Sequence, residues 1–121
     1  MSEKIRALAN RKCQPCEGEG SPLGLSETKQ YLKEVPLWQL AKDRKSIFRE
    51  FVMRNFVSAV DFINRIAKVA EEEGHHPDLH LTSYKKLDIV LATHAIGGLS
   101  PNDFILAAKI DRLPKALKKS A

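Results

Sequence analysis

The histidines of this chain lie together in one short stretch, at His75, His76, His80 and His94. Histidine is the side chain that most readily accepts and releases a proton near neutral pH, so a group of histidines suits acid–base chemistry. The adjacent pair stands between Gly74 and Pro77. Because proline favours an extended backbone at the residue before it, the two side chains of the pair are expected to project in different directions from a fixed loop.

These histidines admit three interpretations. Three imidazoles suffice for a catalytic zinc ion, but Pro77 separates His76 from His80, so those two do not share a helical face. A second interpretation makes the histidines surface and hairpin residues without a chemical role. The third is an acid–base pocket in which Asp103, at the start of a predicted helix, orients a histidine. The residues alone leave these interpretations open.

The cysteines form one Cys-x-x-Cys motif, Cys13 and Cys16. A zinc site of this type needs four ligands, and the sequence has no second pair. A redox motif would follow a strand and open a helix, whereas residues 17–22 have the composition of a linker. The motif therefore indicates a loosely ordered arm, with a reversible disulfide or half of a metal site shared between subunits as alternatives.

The elements that would position the histidines begin near residue 25. Ser26 is a suitable N-cap for a short helix that does not continue beyond Val35, since Pro36 follows. Apolar and polar residues then predict a hairpin of strands 37–41 and 46–53. The next helix spans 56–73 and ends at Gly74. Its apolar stripe comprises Phe56, Ala59, Val60, Ile63, Ile66, Ala67 and Ala70, flanked by Phe62 and Val69.

Two further strands and a helix complete the predicted domain. Alternation predicts strands over 79–84 and 86–93, which places His94 at a strand end. Ser100 is then the N-cap of a helix whose capping box Asp103 closes, and this helix stops before Pro114. The order is α-β-β-α-β-β-α, and strands paired as hairpins make an antiparallel sheet, so the fold class is α+β.

Composition places the chain among ordinary globular proteins. Of its 121 residues, 43% are hydrophobic and 29% are charged, which supports one core without a metal or disulfide. No apolar run is long enough to span a bilayer or to form a secretory signal. We expect a flexible N-terminal arm with the Cys-x-x-Cys motif (1–24), a folded domain (25–114) and a basic C-terminal tail (115–121). The net charge of +5 is concentrated in the arm and the tail.

Several spaced positions resemble the signature of the pterin-4a-carbinolamine dehydratases. The positions that carry this resemblance are Glu71, His75-His76-Pro77, Tyr84, His94 and Asp103. The flanking residues are similar too, in the runs 74–78 and 98–100 and at Thr93, Trp38, Phe51 and Phe56. The resemblance covers about residues 25–112 and leaves the cysteine arm outside, where it resembles an extension of some plant-type members.

This resemblance implies a fold and an activity. The fold is a four-stranded antiparallel sheet with three helices packed on one face, in homodimers or in tetramers made from paired dimers. The activity is dehydration of 4a-hydroxytetrahydrobiopterin to quinonoid dihydropterin and water, in the recycling of tetrahydrobiopterin. The implied partner is a small-molecule pterin substrate, and the family uses neither a metal nor another cofactor.

The resemblance also implies roles for individual residues. His75, His76 and His94 correspond to the catalytic histidines, of which we expect His76 and His94 to transfer protons and His75 to orient the substrate hydroxyl. The expected substrate-binding or supporting residues are Asp103, Pro77, Leu79 and Thr93. Leu79 is a departure from the family pattern, because some members carry tryptophan at this position. Glu71 occupies a position of the motif that tolerates different residues, so it contributes little to the resemblance.

A non-enzymatic role is the alternative function. Some relatives act as dimerisation cofactors of a transcription factor, and others act as assembly chaperones for a carbon-fixing enzyme. The chaperones tend to lose the histidines that this chain keeps, so the enzyme is the preferred prediction. We expect neither direct nucleic-acid binding nor membrane binding. We expect a cytoplasmic location, or an organellar stroma or matrix if a transit peptide has been removed.

Overall fold

The helices and strands follow the predicted order α-β-β-α-β-β-α in the computed structural model, which describes residues 8–14 and 21–119. The helices are α1 (Leu25–Leu32), α2 (Phe56–Glu73) and α3 (Pro101–Arg112). The strands are β1 (Gln39–Leu40), β2 (Ile47–Val52), β3 (Asp78–Thr82) and β4 (Lys86–Leu91). Short 3-10 turns lie at Leu8–Asn10 and His94–Ile96.

The four strands form one antiparallel sheet in the order β1-β2-β4-β3. In its centre, Ile47 lies opposite Leu91 and Phe51 lies opposite Leu87. These alternate side chains are buried in the same hydrophobic core as the inner residues of α2 and α3. One face of the sheet thus packs on the helices, which confirms the predicted α+β class.

Helix α2 begins and ends where the sequence predicts. The side chain of Asn55 accepts a hydrogen bond from the Ser58 N–H, and Gly74 ends the helix in the left-handed conformation at φ 66°. The buried face differs from the predicted stripe, because Phe62 is fully buried while Phe56 is 53% exposed. Among the described residues, no helix has both the length and the apolar character needed to cross a membrane.

Helix α1 starts slightly earlier than predicted. Its N-cap is Gly24 rather than Ser26, and Glu27 accepts a hydrogen bond from the Gly24 backbone N–H. The helix ends at Leu32, ahead of Pro36. Helix α3 starts as predicted, with Ser100 as the N-cap and Asp103 completing the capping box.

The chain turns earlier after β4 than the sequence predicts. The strand ends at Leu91 rather than at residue 93, and Thr93 forms an isolated bridge with Gly98. His94 therefore opens a 3-10 turn rather than extending a strand. Gly97 closes this turn at φ 68°, a conformation that favours glycine. His94 is exposed in this turn, just beyond the end of β4.

Both ends of the described chain pack on the domain. Residues 8–14, named here the N-terminal strap, belong to the segment predicted as a flexible arm, yet Leu8 is buried in the core. Cys16 lies outside the described residues. In the basic tail, the Lys118 N–H donates to the Val52 carbonyl and the Arg54 N–H donates to the Ala116 carbonyl. The described part of the tail thus continues along the end of β2.

Candidate active site

A cavity of about 260 Å³ brings together three of the four histidines. His75 and His76 reach it from the loop after α2, and His94 reaches it from the turn after β4. The rest of its lining comes from Gln14, Gly74, Ala92, Thr93, Ala95 and Asn102. The fold therefore unites residues that stand 18 and 19 positions apart in the chain, since the loop after α2 and the turn after β4 line the same cavity.

His75 is held by a buried carboxylate. Its Nε2 donates to Asp103 Oδ1 over 2.6 Å, and Asp103 is fully buried. The other carboxylate oxygen accepts from the Thr93 hydroxyl at 2.8 Å and from the Ser100 N–H at 3.0 Å. With Nε2 committed to Asp103, the Nδ1 atom of His75 is left for a ligand. The capping box of α3 thus also orients a histidine.

His76 pairs with a carboxylate at the surface. Its Nε2 lies 2.5 Å from Glu71 Oε2, and its side chain is 61% exposed. Glu71 precedes it by five residues, in the last turn of α2. Glu71 has little weight in the sequence motif, but its position near a helix end that turns back through Gly74 accounts for the contact. An imidazole beside a carboxylate is a suitable group for proton transfer.

His94 stands between two cavities. It lines the 260 Å³ cavity and also a neighbouring cavity of about 350 Å³. Thr93 and Ala92 line both cavities as well, so they form the shared wall. The larger cavity is bordered further by Asp43, Lys45, Ser46, Asp78, Val90, Gly97 and Gly98. The exposed imidazole of His94 is accessible to a solute from either side.

Other residues named from the sequence lie elsewhere. His80 is exposed on β3, opposite Asp88 of β4. Leu79 packs against the hydrophobic core. Within the described part of the chain, neither of the two cavities has Pro77 or Leu79 in its lining. Contact of Pro77 and Leu79 with a pterin stays a prediction.

Gln14 and Asn102 are site residues that the sequence analysis missed. Asn102 Oδ1 accepts from the Gln14 N–H at 2.9 Å, and Asn102 Nδ2 donates to the Gln14 carbonyl at 2.6 Å. The side chain of Asn102 thus pairs with the strap as a neighbouring strand would. No sequence pattern indicates a contact between residues 88 positions apart, and the composition of residues 17–22 predicts a loosely ordered arm instead of this contact.

The Cys13 thiol is held in its neutral form. Burial raises its pKa to about 12, and the nearby carboxylate of Glu73 adds to this effect. Since the thiolate is the form that binds metals and attacks disulfides, the raised pKa opposes both reactions at neutral pH. Across residues 8–14 and 21–119, no group of three His, Cys, Asp or Glu side chains is arranged to hold a metal ion. A disulfide with Cys16 and a shared metal site stay predictions.

Sequence comparisons place this arrangement in one family. A family model described as Pterin 4 alpha carbinolamine dehydratase matches residues 21–113. A Halorhodospira halophila protein with the provisional name pterin-4-alpha-carbinolamine dehydratase is 45% identical over 107 residues, which are 88% of this chain and 97% of that protein. Pterin-4-alpha-carbinolamine dehydratase 2, mitochondrial, from Arabidopsis thaliana is 43% identical over 109 residues, or 88% of this chain and 58% of that protein.

Solved structures agree with this relationship. The chain is similar to a transcriptional coactivator/pterin dehydratase from Brucella melitensis, with a TM-score of 0.71 and 32% identity over 75% of this chain and 96% of that one. A pterin dehydratase-like protein identified as a RuBisCO assembly factor in the alpha-carboxysome shares the fold, with a TM-score of 0.52 and 20% identity over 61% of this chain and 84% of that one. The family match and the relatives at 43% and 45% identity show that this chain belongs to the pterin-4-alpha-carbinolamine dehydratase family, and the names of these relatives denote a hydro-lyase.

Proposed function

We propose that the protein dehydrates 4a-hydroxytetrahydrobiopterin to quinonoid dihydropterin and water by acid–base catalysis, in the recycling of tetrahydrobiopterin. The observation that carries this proposal is that His75, His76 and His94 line one cavity. The proposal is further supported by the family match and by the names of the relatives. Acid–base chemistry of this kind needs no metal or cofactor.

The reaction requires two proton transfers that imidazoles can perform. A base removes the proton from N5 of the carbinolamine while an acid protonates the 4a-hydroxyl group. The C4a–O bond then breaks, water leaves, and a double bond forms between N5 and C4a. Hydroxide is a poor leaving group, so the acid is essential to the rate.

The contacts of the three histidines support a division of labour. His75 is fixed by buried Asp103, which suits a residue that binds and orients the substrate hydroxyl. His76 and His94 are exposed to the solvent side of the cavity and can exchange protons with water. We assign the two proton transfers to His76 and His94.

The first experiment is a dehydration assay on the full chain. Freshly prepared 4a-hydroxytetrahydropterin is mixed with the protein in the presence of a chelator, and the loss of its ultraviolet absorbance is followed. We expect acceleration that survives chelation. Replacing His76 or His94 by alanine should lower the catalysed rate by about 10²–10⁴-fold. His80→Ala, an exposed histidine on β3, is the matched control and should keep the wild-type rate.

The assay has outcomes that contradict the proposal. Full activity of His94→Ala would show that His94 transfers no proton. Equal losses in His80→Ala and His94→Ala would show that the effect is not specific to the site. A wild-type protein that does not accelerate the reaction over buffer would overturn the enzymatic function.

A protein-binding role is the second candidate, and one surface favours it. Phe56, Val57 and Val60 expose apolar side chains on the outer side of α2. Such surfaces often mark protein interfaces, and the Brucella melitensis relative is described as a transcriptional coactivator as well as a pterin dehydratase. We propose that this surface mainly forms the contact between identical subunits in a homodimer or tetramer.

We also propose that the protein is located in the cytoplasm.

A further inference from the structure

The N-terminal strap is fixed to the helices that carry the histidine site. Leu8 is buried in the core, and the Lys109 ammonium of α3 donates to the Ala9 carbonyl over 2.9 Å. Further along, the Cys13 N–H donates to Glu73 Oε1 over 2.8 Å, at the end of α2. The strap therefore bridges α2 and α3 on the side where His75 and Asp103 meet.

The strap ends with Gln14 at the wall of the histidine cavity. Both backbone polar groups of Gln14 are paired with the Asn102 side chain, at 2.9 and 2.6 Å. Its side-chain Nε2 lies 3.5 Å from the Lys12 carbonyl, at the outer limit for a hydrogen bond. The backbone of Gln14 is thus fixed, while its carboxamide remains available to a molecule in the cavity that it lines with His75, His76 and His94.

We propose that Gln14 is a further substrate-binding residue of the site, whose carboxamide hydrogen-bonds the pterin. This inference rests on the proposed function. A pterin ring carries both donors and acceptors along its pyrimidine edge, and a carboxamide offers two donor hydrogens and one acceptor oxygen. Gln14 precedes residues 21–113, which the family model matches, so it lies outside the part of the chain that defines the family.

Gln14 takes no part in the proton transfers, because a carboxamide does not titrate near neutral pH. Its contribution is therefore expected in binding. Loss of one hydrogen bond to a neutral ligand should weaken binding about 3- to 10-fold. Removing a contact that is equally strong in the ground state and in the transition state raises KM and leaves kcat nearly unchanged.

The experiment compares full-length wild type with Gln14→Ala, Gln14→Glu and Lys12→Ala. Lys12 is exposed on the same strap and is absent from the lining of the cavity, so its variant is the matched control. Two constants are measured: KM for 4a-hydroxytetrahydropterin in the dehydration assay, and Kd for 7,8-dihydrobiopterin by calorimetric titration. Circular dichroism establishes that each variant is folded.

We expect Gln14→Ala to raise KM and Kd together by about 3- to 10-fold, with kcat within twofold of wild type and Lys12→Ala unchanged. Unchanged KM and Kd in Gln14→Ala, with an active wild type, would overturn the inference and leave the proposed function standing. A wild type that neither dehydrates nor binds would overturn the proposed function and this inference with it. Should Gln14→Ala fail to fold, Gln14→Glu keeps the side-chain size but replaces the NH₂ donor by a charged acceptor. It should then raise KM and Kd, and unchanged constants in this variant would overturn the inference.

Discussion

Asp103 combines two roles in one buried side chain. One oxygen accepts from His75 at 2.6 Å, and the other accepts from the Ser100 N–H and the Thr93 hydroxyl. A carboxylate can accept from all three donors, because it carries about four lone-pair sites and no hydrogen. An amide of the same shape cannot, because one of its two positions is a donor. Asp103 is therefore a positioning residue for His75 as well as a helix cap.

We expect Asp103→Asn to impair both stability and turnover. Its NH₂ group would face a donor, either His75 or the Thr93 hydroxyl and the Ser100 N–H, so a buried donor would lose its acceptor. The free energy of unfolding should fall by about 1–3 kcal/mol. The kcat of dehydration should fall more than KM rises, and the pH profile of kcat should shift, because His75 would adopt another tautomer or orientation. Urea unfolding and kinetics measured over pH check these outcomes.

Ser100→Ala is the control for this prediction. It removes the hydroxyl that caps α3, whose oxygen accepts a hydrogen bond from the Asn102 N–H at 3.2 Å. This loss should lower the free energy of unfolding by about 0.5–2 kcal/mol. The contact between His75 and Asp103 stays intact, so kcat should remain near wild type. Equal kcat losses in both variants would show that general destabilisation, rather than the orientation of His75, governs the rate.

At the scale of elements, the acidic residues at the C-terminal end of α2 have hydrogen-bond and charge partners that compensate for their unfavourable position. The run Glu71–Glu73 opposes the helix dipole at the C-terminus. Glu73, however, accepts the Cys13 N–H at 2.8 Å and lies 3.6 Å from the Lys109 ammonium. Burial alone would raise the pKa of Glu73 and is the largest single effect, but the Cys13 N–H and the charges of Lys109 and Lys12 together lower the pKa below 4.5.

The lowered pKa of Glu73 predicts an acid-sensitive attachment of the strap. A carboxyl group with a folded pKa below its unfolded value stabilises the fold fully above the unfolded pKa, and this stabilisation is lost as pH falls through the folded pKa. Wild type should therefore exceed Glu73→Gln in stability at pH 7, and the difference should shrink below pH 4.5. Urea unfolding between pH 7 and pH 3 measures this difference.

The neighbouring Glu72→Gln is the control, since Glu72 is exposed on the same turn. It should show little difference from wild type at any pH. A difference between wild type and Glu73→Gln that stays constant from pH 7 to pH 3 would contradict the assignment of the acid-sensitive contact to Glu73.

At the scale of the whole molecule, an apolar surface at the start of α2 is left uncovered. Phe56 and Val57 are 53% and 67% exposed at the start of α2, and Val60 adjoins them one turn later. Their helix is otherwise packed through Ala59, Phe62, Ile66 and Ala70. The exposed side chains thus contribute nothing to the monomer core, and covering them in a homo-oligomer would gain about 25 cal/mol for each Å² removed from water.

We expect Val57→Glu to shift the protein toward monomers. A carboxylate placed in an apolar interface would have to lose its hydration, whereas in the monomer it stays in water. Sedimentation velocity over a range of concentrations measures the change. Gln30→Glu, which adds the same charge at an exposed position of α1, is the matched control. Identical sedimentation of wild type and Val57→Glu would exclude this surface as the subunit interface.

The sequence by itself determined the features that depend on neighbouring residues. The capping box from Ser100 to Asp103 and the left-handed end of α2 at Gly74 stand where predicted, since both arise from backbone groups within a few residues. The order of elements follows from alternation and periodicity in the same way. The grouping of the histidines was visible through their residue types and through the resemblance to a known family.

Tertiary structure decided what depends on distant neighbours. Phe62 rather than Phe56 is buried because Phe62 packs edge-to-face against Phe51 of the sheet, and a stripe of apolar residues does not specify its centre. The strap joins the site because Asn102 pairs with the backbone of Gln14, 88 residues away. The Cys13 thiol is held neutral because folding encloses it beside Glu73. Burial and long-range hydrogen bonds are properties of the packed molecule, so no local pattern in the chain encodes them.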